Sequence, residues 1–178
     1  MNHTFISTNG NRLARAECRS DQWSVEFLLE GTDVNCLAVD PANQNIVYAG
    51  TQGNGLLRSD DKGKTWQPLG MEGHVVKAIA ISPIEPDLIV VGTRPAGVFI
   101  SRDGGASWME SLSFKKTRRF FWFSPAGKPW TAYVQGIALS PSNPDVMVVG
   151  IEFGSVVRST DGGKTWQNHR KGALRDCH

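Results

Sequence analysis

Short apolar runs separated by polar turn residues recur along the whole chain. The runs span three to seven residues rich in Val, Ile, Leu and Ala, and Gly, Pro, Asp or Asn bounds them. Such runs are typical of β-strands, and no stretch shows the periodicity of an amphipathic helix. The pattern therefore predicts an all-β fold with strands at residues 34–39, 46–51, 56–58, 75–81, 88–93, 97–100, 134–139, 146–150 and 156–158.

An eight-residue turn motif, S-x-D-x-G-x-[TS]-W, follows every third run. The Asp side chain can accept hydrogen bonds from the backbone of the turn, and the Gly suits a positive φ. The Trp offers a large apolar surface, which we expect to pack beneath the hairpin. We therefore interpret the motif as the framework of a tight turn, built from Ser59, Asp61, Gly63, Thr65 and Trp66, from Ser101, Asp103, Gly105, Ser107 and Trp108, and from Ser159, Asp161, Gly163, Thr165 and Trp166.

Four predicted strands and one turn motif form a repeating unit of roughly 40–50 residues, which is typical of the blades of a β-propeller. The N-terminus holds a degenerate copy of the motif at residues 16–23, in which only the final Trp23 is retained. This retention indicates that packing of the tryptophan is a stronger constraint than the chemistry of the turn.

The motif resembles the Asp-box, or bacterial neuraminidase repeat, of sialidase-like β-propellers. The wider group includes sortilin-type receptors, xyloglucan-cleaving glycosidases and photosystem assembly factors, so the resemblance specifies the fold and leaves the function open. It implies four-stranded antiparallel blades, about three complete and partial ones at both ends. Propellers of this group have larger rings, so we expect one incomplete domain; the alternative is that the last strand closes onto the N-terminal blade and gives a ring of four blades. Its expected parts are blades at 4–30, 34–69, 75–112 and 134–169, an insertion loop at 113–131, and the start of a further strand at 172–178.

Composition limits the possible function classes. The 178 residues are 40% hydrophobic with a net charge of +2, as for a folded domain. Cys18, Cys36 and Cys177 have no regular spacing, which argues against a disulfide framework and a zinc site, and the sequence predicts no cofactor. No signal-peptide-like stretch and no run long enough for a transmembrane helix is visible. We therefore expect a cytoplasmic protein whose open blade edges allow self-association.

The resemblance implies that the ligand face lies at the end of each blade opposite the turn motif. The motif joins the third and fourth strands, so the loops between the second and third strands, and those between the fourth strand and the next blade, lie at that other end. Arg94 and Glu152 are the only charged residues in the loops between the second and third strands of the three complete units. Both are candidate ligand-binding residues; the alternative is that they are solvated turn residues.

The insertion is the most basic and most aromatic stretch of the chain. A loop of this length is often functional, and the pattern could bind an anionic glycan, a phosphate backbone or an anionic membrane surface. The alternative is that its aromatic residues pack over the neighbouring blades while its cations are merely hydrated. The candidate ligand-binding residues of the insertion are Lys115, Lys116, Arg118, Arg119, Trp122 and Trp130.

Three functions are compatible with the sequence. The favoured one is a non-catalytic propeller that binds an anionic or carbohydrate ligand, or a protein partner, through the loop face. The second is a purely structural repeat protein. The third is a glycoside hydrolase whose catalytic residues lie largely in further blades. Resemblance to a sialidase would require an arginine triad and a Tyr nucleophile with a Glu partner, and the chain has only Tyr48 and Tyr133. A xyloglucanase would require two carboxylates, for which Glu72 and Glu152 are the candidates. No catalytic residue is assigned.

Overall fold

A computed structural model of the chain describes residues 3–117, 130–152 and 156–169. These residues form fifteen β-strands and one short helix, which confirms the predicted all-β class. The strands make four antiparallel sheets, one of three strands and three of four. The chain divides into two compact units, residues 1–76 and 77–178, which are described separately. Some predicted features lie outside the described residues: the ligand-binding candidates Arg118, Arg119 and Trp122, the strand at 172–178, and Cys177 within it.

The first unit contains two sheets, each with its strands paired in chain order. The first sheet pairs without any shift of register, whereas the second has a bulge between Val34 and Cys36. Cys18 is a free thiol. The strands are β1 (His3–Thr8), β2 (Leu13–Arg19) and β3 (Gln22–Leu28) in the first sheet, and β4 (Val34–Val39), β5 (Val47–Thr51), β6 (Leu56–Ser59) and β7 (Gln67–Pro68) in the second.

One face of the first sheet packs against the second sheet. The buried Arg15 donates from Nε to the carbonyl of Lys62 at 2.9 Å and pairs with Glu26 of its own sheet at 2.7 Å. Ile6 lies against the turn that joins β6 to β7, where a Cβ added to Gly63 would come within 2.6 Å of it. Gly63 has a φ of +78°, so this position needs glycine both for the turn and for the close approach of the two sheets.

The second unit also contains two sheets with sequential pairing. The unit boundary falls within the first strand, β8. The elements of the third sheet are β8 (Val75–Ile81), β9 (Ile89–Arg94), β10 (Val98–Ser101) and β11 (Met109–Glu110). The helix α1 (Leu112–Lys116) follows, and the fourth sheet consists of β12 (Val134–Leu139), β13 (Met147–Ile151), β14 (Val156–Ser159) and β15 (Gln167–His169).

A buried apolar core lies between the third and fourth sheets. It contains Val90 and Val98 of the third sheet and Val134 and Val149 of the fourth, none of which is exposed to solvent. A Cβ added to Gly92 would lie 2.3 Å from a methyl carbon of Val134. The missing side chain at Gly92 therefore lets β9 and β12 approach closely.

The first residues of the predicted insertion loop form the helix α1. Its N-cap, Ser111, makes no side-chain cap hydrogen bond, so local capping does not explain the helix. Phe114 is fully buried, and its ring contacts Trp166 edge-to-face with centroids 5.5 Å apart. We attribute the difference from the expected loop to this tertiary contact. No helix in the described ranges is long and apolar enough to cross a membrane.

Candidate functional site

The turn motif forms a closed network of hydrogen bonds, as its first full copy shows. The Ser59 hydroxyl donates to Asp61 Oδ1 at 2.8 Å and accepts from the backbone N–H of Gly63 at 2.8 Å. Asp61 Oδ1 also accepts from the backbone of Lys64 and Thr65, and Oδ2 accepts from the Thr65 hydroxyl at 2.7 Å. The carboxylate of the motif therefore holds the turn closed.

The same network recurs in the other two copies, with Ser101 and Ser159 in place of Ser59. Hydrogen bonds from Ser107 and Thr165 hold the pKa of Asp103 and of Asp161 at about 2. For Asp61, burial acts in the opposite direction, but the hydrogen bonds from Thr65 and Ser59 still lower its pKa to about 2. These carboxylates are ionised and fully engaged as acceptors, so they serve as framework and are poor candidates for acid–base catalysis.

The motif tryptophans differ in their partners. The Trp66 indole N–H donates to the Gly63 carbonyl of its own turn at 3.0 Å. The Trp166 indole N–H instead donates to the hydroxyl of Ser111 at 2.9 Å. In the degenerate first copy, Trp23 is 55% exposed and contacts Phe5, so the expectation that its packing explains its retention is wrong. There a tight turn with Ser20 and Asp21 at positive φ links β2 to β3 without any of the motif chemistry.

At the other ends of the strands, four side chains of the second unit form what we call the Tyr133 cluster: Lys77, Arg94, Tyr133 and Glu152. Arg94 ends β9, Lys77 lies on β8, and Tyr133 and Glu152 flank the paired strands β12 and β13. The Glu152 backbone N–H donates to the Tyr133 carbonyl at 3.0 Å, which extends that strand pairing by one step. Arg94 Cζ and Lys77 Nζ lie 6.0 and 5.2 Å from the centre of the Tyr133 ring.

The carboxylate of the cluster differs from those of the turn motifs in that its hydrogen bonds are incomplete. Glu152 is only 8% exposed, and among the described residues its Oε2 has no hydrogen-bond partner. Burial, followed by the charge of Glu152 and a side-chain hydrogen bond with it, raises the pKa of Tyr133 above its usual value, although the charge of Arg94 opposes the rise. The cluster therefore contains two cations, a phenol that is protonated at neutral pH and a carboxylate oxygen that is itself buried.

The structure brings two of the predicted ligand-binding residues together and separates others from them. Arg94 and Glu152 share the Tyr133 cluster. Lys115 forms an ion pair with Glu110 at 2.5 Å, and Lys116 lines a shallow depression with Thr165 and Trp166, beside the last turn motif. The basic start of the insertion thus adjoins the motif rather than the loop between the second and third strands.

Trp130, the first described residue after position 117, is exposed. It makes no contact that assigns it to the Tyr133 cluster in the described residues.

Sequence reasoning missed Lys77 and Tyr133 as members of the site. A usable signal was present, because antiparallel pairing of residues 134–139 with residues 146–151 places the residue before the first strand opposite the residue after the second. Val134 does pair with Ile151 in the structure. Tyr133 and Glu152 are the next pair outward, so they could have been predicted to meet.

No group of three or more His, Cys, Asp or Glu side chains within the described ranges could hold a metal ion.

Comparison with known proteins bears on the fold. Residues 157–168 match the family model of the BNR/Asp-box repeat, and no curated protein matches the sequence significantly. An ancestral GH74 enzyme has a similar structure, with 21% identity over 91% of this chain and 23% of that chain and a TM-score of 0.58. YCF48 bound to D1 peptide is 18% identical over 76% of this chain and 38% of that chain, with a TM-score of 0.51. An extracellular domain from B. thetaiotaomicron is 13% identical over 96% of this chain and 22% of that chain, with a TM-score of 0.64.

These identities show the fold alone, and the chain spans less than two fifths of the length of each of the three structures. The fold agrees with the repeated turn geometry and with the sequential four-stranded sheets. The chain is therefore built of β-propeller blades that carry BNR/Asp-box repeats.

Proposed function

We propose that this chain is a recognition module without catalytic activity of its own, and that it binds an acidic carbohydrate through the Tyr133 cluster. The observation that carries the proposal is the buried Glu152 with an unpartnered oxygen close to two cations. Leaving a buried acceptor unpaired costs about 1–3 kcal/mol, so a ligand that donates a hydrogen bond there recovers that cost.

The mixed charge of the cluster favours a ligand that combines hydroxyl groups with a carboxylate. Glu152 Oε2 is buried, so the side chain must turn towards the ligand for a sugar hydroxyl to donate to it. A carboxylate on the same ring can accept from Arg94 or attract Lys77. A neutral sugar would make no charge–charge contact with either cation, and a phosphate polymer would be repelled by Glu152. The protonated Tyr133 adds an apolar ring surface and a hydroxyl group of the kind that orients small ligands.

A peptide is the competing ligand class, because the similar YCF48 structure holds D1 peptide. A peptide can also donate an N–H to a carboxylate and offer a carboxylate to an arginine. We favour the carbohydrate because clustered hydroxyl groups satisfy a single carboxylate oxygen without requiring an extended groove.

The test is to titrate the purified chain with a sialylated trisaccharide, a glucuronate disaccharide, the matching neutral sugars and a short acidic peptide, using calorimetry. Arg94→Gln removes a charge-assisted contact worth roughly 1.5–3 kcal/mol, so binding of the acidic sugars should weaken by about ten- to a hundredfold. Lys116→Gln removes a cation of the other surface and is the matched control. Equal binding of acidic and neutral sugars, preference for the peptide, or an unchanged affinity of Arg94→Gln would each contradict the proposal.

A sialidase-like activity is the second candidate, because one observation specifically favours it. The hydrogen-bonded Tyr133 and Glu152 beside Arg94 resemble the Tyr–Glu nucleophile pair that a sialidase requires. In that reaction the Tyr133 oxygen would attack the anomeric carbon while Glu152 accepts the phenolic proton, and a separate acid would protonate the leaving oxygen. The cluster contains no second carboxyl group for this last role, so we place recognition first.

Hydrolysis of a fluorogenic sialoside distinguishes the two functions. A catalytic Tyr133 predicts turnover that Tyr133→Phe abolishes while binding is retained. Recognition alone predicts no turnover by either protein, and a Glu152→Gln variant that binds less tightly.

A further inference from the structure

Two side chains of the second sheet meet at the end opposite its turn motif. Asn35 is the extra residue of the bulge between Val34 and Cys36, and a bulge re-aims the side chain that it carries. Its Nδ2 donates at 3.2 Å to Oε1 of Gln52, which directly follows β5. We call the positions of Asn35 and Gln52 the paired positions of the sheet.

The first paired position of the third sheet holds Lys77. Asp40 in the second sheet and Ser82 in the third donate their backbone N–H groups across the same turn, each at 3.0 Å. Asn35 and Lys77 each lie five residues before that donor. Lys77 therefore corresponds to Asn35.

The second paired position of the third sheet holds Arg94. Thr51 and Thr93 donate their backbone N–H groups across the following loop, each to a glycine carbonyl, at 3.0 and 3.1 Å. Gln52 and Arg94 are the residues directly after them. The repeated backbone therefore places Lys77 and Arg94 at the two positions where the amides meet in the second sheet.

The two pairs differ in their hydrogen-bonding chemistry. An amide has both donors and an acceptor, so Asn35 and Gln52 can bond directly. Ammonium and guanidinium groups are donors only, so Lys77 and Arg94 cannot hydrogen-bond with each other, and their charges repel. Both lie beside the Tyr133 ring, at 5.2 and 6.0 Å from its centre. An anionic acceptor that both side chains share would therefore stabilise the pair of the third sheet.

The Tyr133 cluster itself balances only one of these two cations. Glu152 is its single carboxylate, so with Lys77 and Arg94 the cluster has a formal charge of +1 while Tyr133 is neutral. One further carboxylate would balance the cluster. A phosphate monoester, with a charge of about −1.5 to −2 at neutral pH, would leave negative charge in excess beside the buried Glu152.

We propose that Lys77 and Arg94 hold one carboxylate of the ligand between them, and that the paired positions set the ligand charge that each sheet accepts. The inference rests on the proposed function for the acidic sugar. It adds Lys77 as a direct contact, and it names a single carboxylate as the group that is recognised. Arg94 contacts that group through its planar guanidinium and Lys77 through a compact charge.

The test replaces the pair of the third sheet with that of the second, as Lys77→Asn combined with Arg94→Gln. Calorimetry on the 178-residue chain compares a glucuronate disaccharide with its neutral counterpart. Loss of each charge-assisted contact weakens binding about ten- to a hundredfold. The double variant should therefore bind the glucuronate disaccharide at least about a hundredfold less tightly and no longer prefer it. Lys115→Asn combined with Lys116→Gln removes the same two charges beside the last turn motif, so this control should keep the preference.

A second measurement separates this inference from the proposed function. Sodium acetate replaces sodium chloride at equal ionic strength, so that a carboxylate without a sugar is the probe. Acetate should raise the midpoint of thermal unfolding of the unsubstituted chain by at least about 1 °C, and should not raise that of the double variant. If the double variant misfolds, Lys77→Asn alone leaves Arg94 beside Glu152 and should still weaken binding of the glucuronate disaccharide about ten- to a hundredfold.

The outcomes distinguish the two ideas. Stabilisation by acetate that depends on the pair, without binding of any sugar, would support the carboxylate site and contradict the carbohydrate function. An undiminished preference for the glucuronate disaccharide in the double variant, or an unchanged affinity of Lys77→Asn, would overturn the inference and leave the proposed function standing. A chain that responds to neither acetate nor sugar would overturn both.

Discussion

Ser111 joins the end of the third sheet to the last turn motif through one hydroxyl group. Its Oγ donates to the Gly163 carbonyl at 2.7 Å and accepts from the Trp166 indole at 2.9 Å. Both Ser111 and Trp166 are buried. We predict that Ser111→Ala destabilises the chain because it removes both hydrogen bonds while leaving the backbone in place.

The expected loss of stability depends on which hydrogen bonds the Gly163 carbonyl and the Trp166 indole keep after the substitution. The Gly163 carbonyl keeps a second donor, the hydroxyl of Ser113 at 3.2 Å, so the loss there is a net hydrogen bond of about 0.5–1.5 kcal/mol. The Trp166 indole N–H loses the partner shown for it, and a buried N–H left unpaired costs about 1–3 kcal/mol. We therefore expect Ser111→Ala to lower the free energy of unfolding by about 1.5–4.5 kcal/mol.

Urea-induced unfolding followed by circular dichroism measures this change, with Ser113→Ala as the control that should cost less than about 1 kcal/mol. The decisive measurement repeats Ser111→Ala in a Trp166→Phe background, which has no indole N–H to leave unpaired. The cost of Ser111→Ala should then fall by at least about 1 kcal/mol. The same cost in both backgrounds, or an equal cost for Ser113→Ala, would refute the role assigned to the indole bond.

Three further predictions concern the turns and the Tyr133 cluster. Gly163→Ala should lower the free energy of unfolding by more than about 1 kcal/mol in thermal denaturation, because φ is +84° and the new Cβ would meet Ile100 at 2.4 Å. Gly136→Ala is the control and should lower it far less, since nothing surrounds the added Cβ there. The free energy of unfolding should fall as the pH is lowered from about 4 towards 2. The pKa values of the three motif carboxylates are lowered from 3.8 to about 2, so the ionised carboxylates stabilise the fold fully only above that range. A free energy of unfolding that does not change between pH 4 and 2 would contradict this. In ultraviolet titration one tyrosine should ionise above the usual pKa of about 10, and Glu152→Gln should bring the Tyr133 midpoint down; an unchanged midpoint would exclude the proposed coupling.

The strands and turn motifs were predictable because local patterns specify them. Each apolar run is long enough to span one strand, and each motif supplies its own acceptor, its positive-φ glycine and its apolar anchor. The predicted strand at residues 75–81 coincides with β8, and the one at 134–139 with β12. Such features depend on residues that are close in sequence, so a single chain is sufficient to recognise them.

The remaining features depend on partners distant in sequence. Helix α1 forms where Phe114 meets Trp166, and nothing within residues 112–116 predicts that contact. The exposure of Trp23 depends on which face of the first sheet is covered, which strand patterning does not specify. The contact between Tyr133 and Glu152 follows only from the register of β12 with β13. The charges of the loops therefore predicted Arg94 and Glu152 but not the other two members of the cluster.

Hydrogen-bond completeness separates framework from site in this chain. In the turn motifs every carboxylate has several donors, and repetition of the same network three times leaves nothing for a ligand to add. Glu152 is as buried as many core residues, yet one of its oxygens has no donor among the described residues, while two cations lie nearby. A fold that was selected only for stability would gain about 1–3 kcal/mol by pairing or replacing that carboxylate. The unpaired oxygen is therefore the feature that motivates the proposed ligand site, which would lie at the end of the blades opposite the Asp-boxes.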